Sequence, residues 1–197
     1  MVSESEKIIS QVQKMELGNV FTIDDLIFNC SKSNVYKILK TLRNKNIIKI
    51  AYKGIYYKIQ YSTVLIGRLL PPNLYDVILI LAKKNNEILQ LNGGHTANLF
   101  HISKHVPMIE AFYTNGRTRE LVLAGSRVKF THVSNKKIFQ YSLQPIGDAL
   151  SCMYFLGERL VDSSTVQKIR KCIGEKNFSI LKKLDLDPWM NAVLNDN

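Results

Sequence analysis

The apolar residues of the first seventy positions change period twice. Ile8, Ile9 and Val12 fall at helical spacing in "SESEKIISQVQKM", with acids in the opening turn, so a first helix is expected there. "ELGNVF" interrupts it at Gly18. Thr22 is a suitable N-cap for a short second helix through Leu26, Ile27 and Phe28, ending near Cys30. Ser31 or Ser33 caps a third helix. There Val35, Ile38, Leu39 and Leu42 occupy i, i+3, i+4 and i+7 and form one inward stripe. "NKN" at 44–46 ends it. The period then shortens to that of strands: "IIKIAY" and "GIYYKI" read as a hairpin around Lys53-Gly54. Three helices and a two-stranded wing, with a short link between the second and third helices, spell a winged helix-turn-helix over residues 1–66.

"IGRLLPPN" at 66–73 places two prolines where neither a helix nor a sheet ladder continues, and a domain joint is expected there. The second domain then spans 72–197. Pro72 opens a helix through Leu74, Val77, Ile78 and Leu81 that ends at "KKNN". "EILQL" reads as a strand, and Gly93-Gly94 as a tight turn before a helix that stops ahead of Pro107. In "MIEAFYTNGRTRELVLAGSRVKFTHV" the dipeptide Asn115-Gly116 signals a type I′ hairpin, because both central positions need positive φ. Ala124-Gly125-Ser126 makes a second turn, so a three-stranded antiparallel meander is expected. Helical stretches follow at Pro145–Leu156, Ser163–Ile173 and Asn177–Leu184, with a short last one from Asp187-Pro188-Trp189. The fold class is therefore α+β.

Charge sharpens the picture of the first domain. The chain carries a net +11, which suggests an anionic partner. Between Leu26 and Tyr75 it has Lys32, Lys37, Lys40, Arg43, Lys45, Lys49, Lys53, Lys58 and Arg68 and no acid. With 16 acids in 197 residues, about four would fall there by chance. The side of the third helix opposite its apolar stripe carries Ser33, Asn34, Tyr36, Lys37, Lys40, Thr41, Arg43 and Asn44. A helix fits the DNA major groove, and its N-terminal half lies deepest, so Ser33, Asn34, Tyr36 and Lys37 are the expected base readers. Lys40 and Arg43 suit phosphate, as do Lys49, Lys53 and Lys58 of the wing. A solvated basic face is the bland alternative for a single helix. A basic wing beside it, equally free of acids, favours double-stranded DNA as the partner. In the second domain Arg117, Arg119, Arg127 and Lys129 would share one sheet face if their strands pair, with Lys136 and Lys137 close behind. That face reads as solvated, as a further strip of DNA contact, or as a dock for an acidic partner.

Little else points to chemistry. His95, His101 and His105 are spaced by six and four, and only the last two would share a helix face, with no cysteine or paired carboxylate nearby. No metal site and no cofactor is expected. "NGGH" lacks the Gly-x-x-x-x-Gly-Lys-Ser/Thr phosphate loop. Cys152 sits mid-helix among apolar residues and reads as core, so no nucleophile is in view and an enzyme is not expected. Cys30, Cys152 and Cys172 are scattered and odd in number, which fits reduced thiols in the cytoplasm. "MVSESEK" has no apolar signal core, and no apolar run is long enough to span a membrane.

The order "GNVFTIDDL", "SNVYKILKTLRNKNIIKIAYKGIYYKI", "NGGHTANLFHISKHVP" and "AFYTNGRTRELVLAGSRVKFTHVS" resembles the AbiEi-like antitoxins, transcriptional regulators of type IV toxin–antitoxin (abortive infection) modules. The likeness covers roughly residues 6–140. Its most specific parts are Lys53-Gly54-Ile55-Tyr56-Tyr57 and Thr114-Asn115-Gly116-Arg117. The chain departs from that family in His95 and Asn98, where small residues are expected, and in a shorter C-terminal end. The resemblance implies an N-terminal winged helix that binds inverted repeats in its own promoter and represses it; a second copy on such a repeat, as a dimer or a cooperative pair, is expected. It also implies a C-terminal antitoxin domain and a nucleotidyltransferase-like toxin as partner. An antitoxin that mainly neutralises its toxin, with DNA binding secondary, is the runner-up reading. A small enzyme built on His95, His101 and His105 is the remote third.

Overall fold

The structure is a computed structural model that describes residues 3–196; Met1, Val2 and Asn197, which the expected domain spans include, lie outside the described residues. The fold is α+β, with helices and several small sheets. The chain divides into two compact units. One comprises residues 1–85 together with 122–126; the other comprises 86–121 and 127–197. No described helix is long and apolar enough to cross a membrane.

In the first unit, α1 (Glu4–Lys14) starts with a capping box. The Ser3 side chain accepts from the Glu6 N–H, and the Glu6 carboxylate accepts in turn from the Ser3 N–H. Ile8 and Val12 are fully buried. Strand β1 (Val20–Phe21) follows, and then a 3₁₀ turn, Ile23–Asp25. Thr22 caps that turn as expected, but the second helix stops there. Asp25 turns back to accept from the Thr22 N–H and hydroxyl, and Leu26 leaves in extended conformation, so the helical turn is closed at both ends. Helix α2 (Lys32–Asn44) is capped by Ser31, whose hydroxyl accepts from the Asn34 N–H at 3.3 Å. Its stripe of Val35, Ile38, Leu39 and Leu42 is buried as the spacing predicts. Asn46, at φ 53, turns the chain out of the helix into the next strand.

β2 (Ile48–Tyr52) and β3 (Ile55–Lys58) form the expected hairpin, with Gly54 at φ 73 in its turn. The sheet has a third strand that the sequence reading lacks: β1 pairs antiparallel with β3, giving the order β1-β3-β2. Ile8, Val12, Phe21, Leu26, Val35, Leu39, Leu42, Ile48 and Tyr56 make one core, each large apolar side chain contributing roughly 1.5–3 kcal/mol by leaving water. Next come β4 (Gln60–Tyr61) and β5 (Leu69–Leu70), a small antiparallel pair, and α3 (Leu74–Lys84), capped by Asn73. The expected joint at 66–73 therefore differs from the observed division. α3 packs on β1 and β3 and buries Val77, Ile78, Leu81 and Ala82, so Pro71-Pro72 ends a strand inside the first unit.

The second unit holds β6 (Leu89–Leu91), α4 (Gly93–Leu99), β7 (Glu110–Thr114), β8 (Arg119–Leu123) and β9 (Ser126–His132). The turn at the meeting of β8 and β9 groups with the first unit, together with the adjoining strand residues Val122, Leu123 and Ser126. The expected meander is corrected. The sheet order is β6-β7-β9-β8, with β7 antiparallel to β6 and parallel to β9. Asn115-Gly116 makes no type I′ turn, since neither residue has positive φ. Instead the Asn115 side chain accepts from the Ile88 N–H at 2.8 Å, and the Gly116 N–H donates to the Thr114 hydroxyl. Ala124-Gly125, at φ 48 and 86, does make the second turn. Gly93 and Gly94 are corrected too: they form the first turn of α4 behind an Asn92 cap rather than a turn ahead of it.

α5 (Pro145–Leu156) has the expected limits, set by Pro145 at its start and Gly157 at φ 73 after its end. α6 (Ser163–Leu181) is broken at Gly174, φ 79, into two helical pieces, close to the two stretches expected. α7 is Pro188–Asn195. The core of this unit lies among the helices, with Ile146, Leu150, Met153, Val166, Ile169, Phe178, Leu181 and Leu194 buried together.

Candidate nucleic-acid interface

The inward stripe of α2 leaves its other side to solvent. Ser33, Asn34, Tyr36, Lys37, Lys40, Thr41 and Arg43 are all exposed, and the helix carries no carboxylate. The side chains differ in their freedom. Thr41 donates its hydroxyl to the Lys37 carbonyl at 3.2 Å, so that group is engaged with the helix itself. Lys32 lies 3.8 Å from Asp24, both well exposed, a pairing that water and salt screen. Burial pushes the Tyr56 phenol above its usual range, with Tyr36 adding to the shift and Arg43 opposing it. Tyr36 and Arg43 therefore stand within electrostatic reach of the sheet beneath them.

The wing divides. Lys49 and Lys53 are exposed. Lys58 is not available: its ammonium donates to the Gln13 carbonyl at 2.6 Å and the Met15 carbonyl at 2.7 Å. Lys58 lies beside the end of α1, where unpaired helix carbonyls attract a cation. Between the end of α2 and β2 lies an open groove of about 340 Å³, lined by Arg43, Asn44, Asn46, Ile48, Lys49 and Ile50. Asn46 was legible only as part of a helix stop. Its left-handed backbone is what carries it into the groove wall.

The face expected from Arg117, Arg119, Arg127 and Lys129 does not assemble as one. Arg119 makes a two-pronged pair with Glu87, at 2.9 and 2.5 Å, and its guanidinium stacks 4.6 Å from the centre of the buried Phe130 ring. Phe130 and Lys129 alternate across β9, so Arg119 lies on the side away from Lys129. Arg127 pairs with Glu120 at 2.6 Å on the surface, while Arg117 and Lys129 are exposed. Lys137 is held by Asp185 at 3.1 Å and the Leu186 carbonyl at 3.2 Å, and is structural.

The histidines do not converge. α4 ends at Leu99, so His101 and His105 share no helix face, and His101 sits at φ 55 in the turn beyond it. His95 is mostly buried, 3.8 Å from Glu110, and burial holds its ring below the usual range with Glu110 opposing. Among the described residues no group of three potential metal ligands comes together. Cys152 is fully buried and its thiol is pushed up to about 12 by desolvation, which leaves no thiolate for nucleophilic attack.

No curated protein and no solved structure matches the chain. A protein-family model, described as a family of unknown function (DUF6088), matches residues 7–181. With that match extending over both units, the chain belongs to the DUF6088 family.

Proposed function

We propose that the chain is a DNA-binding transcriptional regulator whose first unit works as a winged helix-turn-helix, with α2 as recognition helix and the β2–β3 hairpin as wing. The observation that carries this is the exposed side of α2, where Lys37, Lys40 and Arg43 stand among amides and hydroxyls without one carboxylate. A major groove presents acceptors and donors to Asn and Lys at its floor and phosphates at its walls. Ser33, Asn34, Tyr36 and Lys37 read bases, while Lys40, Arg43, Lys49 and Lys53 hold phosphate. Lys58 leaves the set. Two copies on an inverted repeat in the chain's own promoter would exclude polymerase, and the cytoplasm is the place of action.

The test is binding to the DNA just upstream of the chain's reading frame, measured at several salt concentrations. Asn34→Ala should cost on the order of 1–3 kcal/mol and relax the sequence preference. Lys53→Ala should weaken binding to all sequences alike and flatten the salt slope by about one. Unchanged binding in both variants would place the interface elsewhere.

The likeness of the sequence to AbiEi-like antitoxins supports a second layer to this reading. The same chain would be the autorepressing antitoxin of a type IV module, its partner a nucleotidyltransferase-like toxin. Co-expression with such a neighbouring gene product tests it: the full chain should restore growth, and Asn34→Ala should still do so if neutralisation does not run through DNA.

A further inference from the structure

The fourth histidine, His132, ends β9 in the second unit and is held at both nitrogens of its ring. Its Nδ1 lies 2.7 Å from the Gly116 carbonyl oxygen, and its Nε2 lies 3.2 Å from the Ser134 hydroxyl oxygen. A carbonyl can only accept, so in the neutral ring the proton sits on Nδ1. Nε2 then turns its lone pair toward Ser134, and the Ser134 O–H donates to it. A hydroxyl, a base within reach of it and a third group that orients the base are the parts that make serine a nucleophile. Here a backbone carbonyl fills the orienting place that a carboxylate fills in a Ser-His-Asp triad.

Backbone pairings set the three groups in place. β7 runs parallel to β9 with Thr114 opposite His132, and the Val133 N–H donates to the Thr114 carbonyl at 3.0 Å. The His132 N–H donates to the Thr118 hydroxyl at 2.9 Å, which ties the end of β9 to the loop after β7. In that loop the Gly116 N–H donates to the Thr114 hydroxyl at 2.9 Å. A Cβ on Gly116 would stand 2.2 Å from a Glu87 carboxylate oxygen and displace the carboxylate that Arg119 holds. His132 and Ser134 are both exposed, so a reagent reaches the hydroxyl from solvent. Arg117, next to Gly116, and Lys136, two residues past Ser134, are exposed as well. From Ala111 to Gly147 the one carboxylate is Glu120, which pairs with Arg127. The chain around the hydroxyl is thus cationic, which favours an oxygen that gains negative charge as it reacts.

We propose that Ser134 is a covalent acyl-acceptor site, its hydroxyl activated by His132 to take the acyl group of an activated ester or thioester. The Ser134 Oγ bonds to the carbonyl carbon, and the bond from that carbon to the leaving alkoxide or thiolate breaks. The serine proton passes to His132 Nε2 and from there to the leaving group. The products are O-acyl Ser134 and an alcohol or thiol, and no oxidant or reductant takes part. Acyl transfer needs a nucleophile and a proton acceptor, both of which stand here, whereas phosphoryl transfer asks in addition for groups that clamp a polyanion. The site is open, so the expected event is one transfer per chain, a modification rather than sustained turnover. It does not depend on DNA binding by the first unit.

The experiment treats the full chain with p-nitrophenyl acetate and maps acetyl groups by peptide mass spectrometry over time, beside Ser134→Ala and His132→Gln. Both positions are exposed, and circular dichroism with a melting curve verifies that the variants fold. This reagent also acetylates lysines, which supplies an internal reference. The exposed serines Ser33 and Ser179 supply another. The expected result is acetylation of Ser134 well ahead of Ser33 and Ser179 in wild type, and its absence in Ser134→Ala. In His132→Gln the acetylation of Ser134 should slow by roughly 100-fold while the lysines react as before. A wild type whose Ser134 reacts no faster than Ser33 and Ser179, or a His132→Gln protein whose Ser134 reacts as in wild type, overturns the proposal. Should His132→Gln fail to fold, the wild-type ratio of Ser134 to Ser33 decides alone.

Discussion

Lys58 donates through its Nζ to the Met15 carbonyl at 2.7 Å, which turns a residue of the basic hairpin into the C-terminal cap of α1. The Gln13 carbonyl takes a second bond from the same ammonium at 2.6 Å. Both are carbonyls that the helix end leaves unpaired. Lys58→Ala should therefore lower stability by about 1–3 kcal/mol, seen as an earlier thermal or urea transition. It should leave the salt slope of DNA binding as in wild type. A flattened slope with unchanged stability would return Lys58 to the interface.

The four basic residues of the second unit should separate by the same logic. Arg119 and Glu87 are largely shielded, with side chains 21% and 12% exposed, and the guanidinium also rests on Phe130. Removing one partner leaves a mostly buried charge alone, so Arg119→Ala should cost about 3 kcal/mol. Arg117→Ala and Lys129→Ala, on exposed side chains, should shift stability by less than about 0.5 kcal/mol. Urea unfolding of the three variants checks this, and equal effects would contradict the assignment of Arg119.

Gly93 and Gly94 adjoin in sequence and should respond differently to alanine. A Cβ on Gly93 would stand 2.1 Å from the Phe155 Cβ and 2.4 Å from the Ser151 carbonyl oxygen, so α4 and α5 could not approach as they do. On Gly94 the nearest neighbour is the Asn92 side chain at 3.2 Å. Gly93→Ala should destabilise by roughly 1–3 kcal/mol or more through overpacking. Gly94→Ala should be near neutral or slightly stabilising through its better helix propensity. Melting temperatures of the two variants decide it.

These residues also show what the sequence makes legible. Local patterns carry through: the stripe of α2 sets its buried face, Pro145 and Gly157 bracket α5, and Lys53-Gly54 turns the hairpin. Each of these signals acts over a few positions. The errors come where a distant partner competes. Asn115-Gly116 has the residues of a type I′ turn, yet β7 finds β6 on one side and β9 on the other, so the dipeptide serves Ile88 and Thr114 instead. β1 is two residues long and exists only because β3 offers it an edge. For the candidate interface, composition identified which residues are cations but not which are occupied. Lys58 and Arg119 look like their neighbours in sequence, and only the packing of α1 and Glu87 against them removes them from the exposed set.

His95 should make the second unit sensitive to mild acid. Burial holds its ring below the usual imidazole value of 6.5, with Glu110 and the Ile109 backbone opposing, so the folded state binds its proton less readily than the unfolded chain. Well above 6.5 the ring is neutral in both states and contributes no pH dependence. As pH falls through that value the unfolded chain takes up the proton first, and stability is lost until the folded ring titrates as well. The Nδ1 atom is buried with no partner at hydrogen-bonding geometry, so the charged ring keeps one nitrogen unsatisfied. Asp148 works in the opposite sense, because burial raises its carboxyl despite the hydrogen bond from Gln90. The quantity that isolates the ring is therefore the difference between wild type and His95→Gln. Wild type should lose stability on moving from neutrality to below 6.5, and His95→Gln should lose distinctly less over the same range. Parallel urea titrations of the two proteins measure it, and identical pH profiles would show that the His95 proton is not linked to folding.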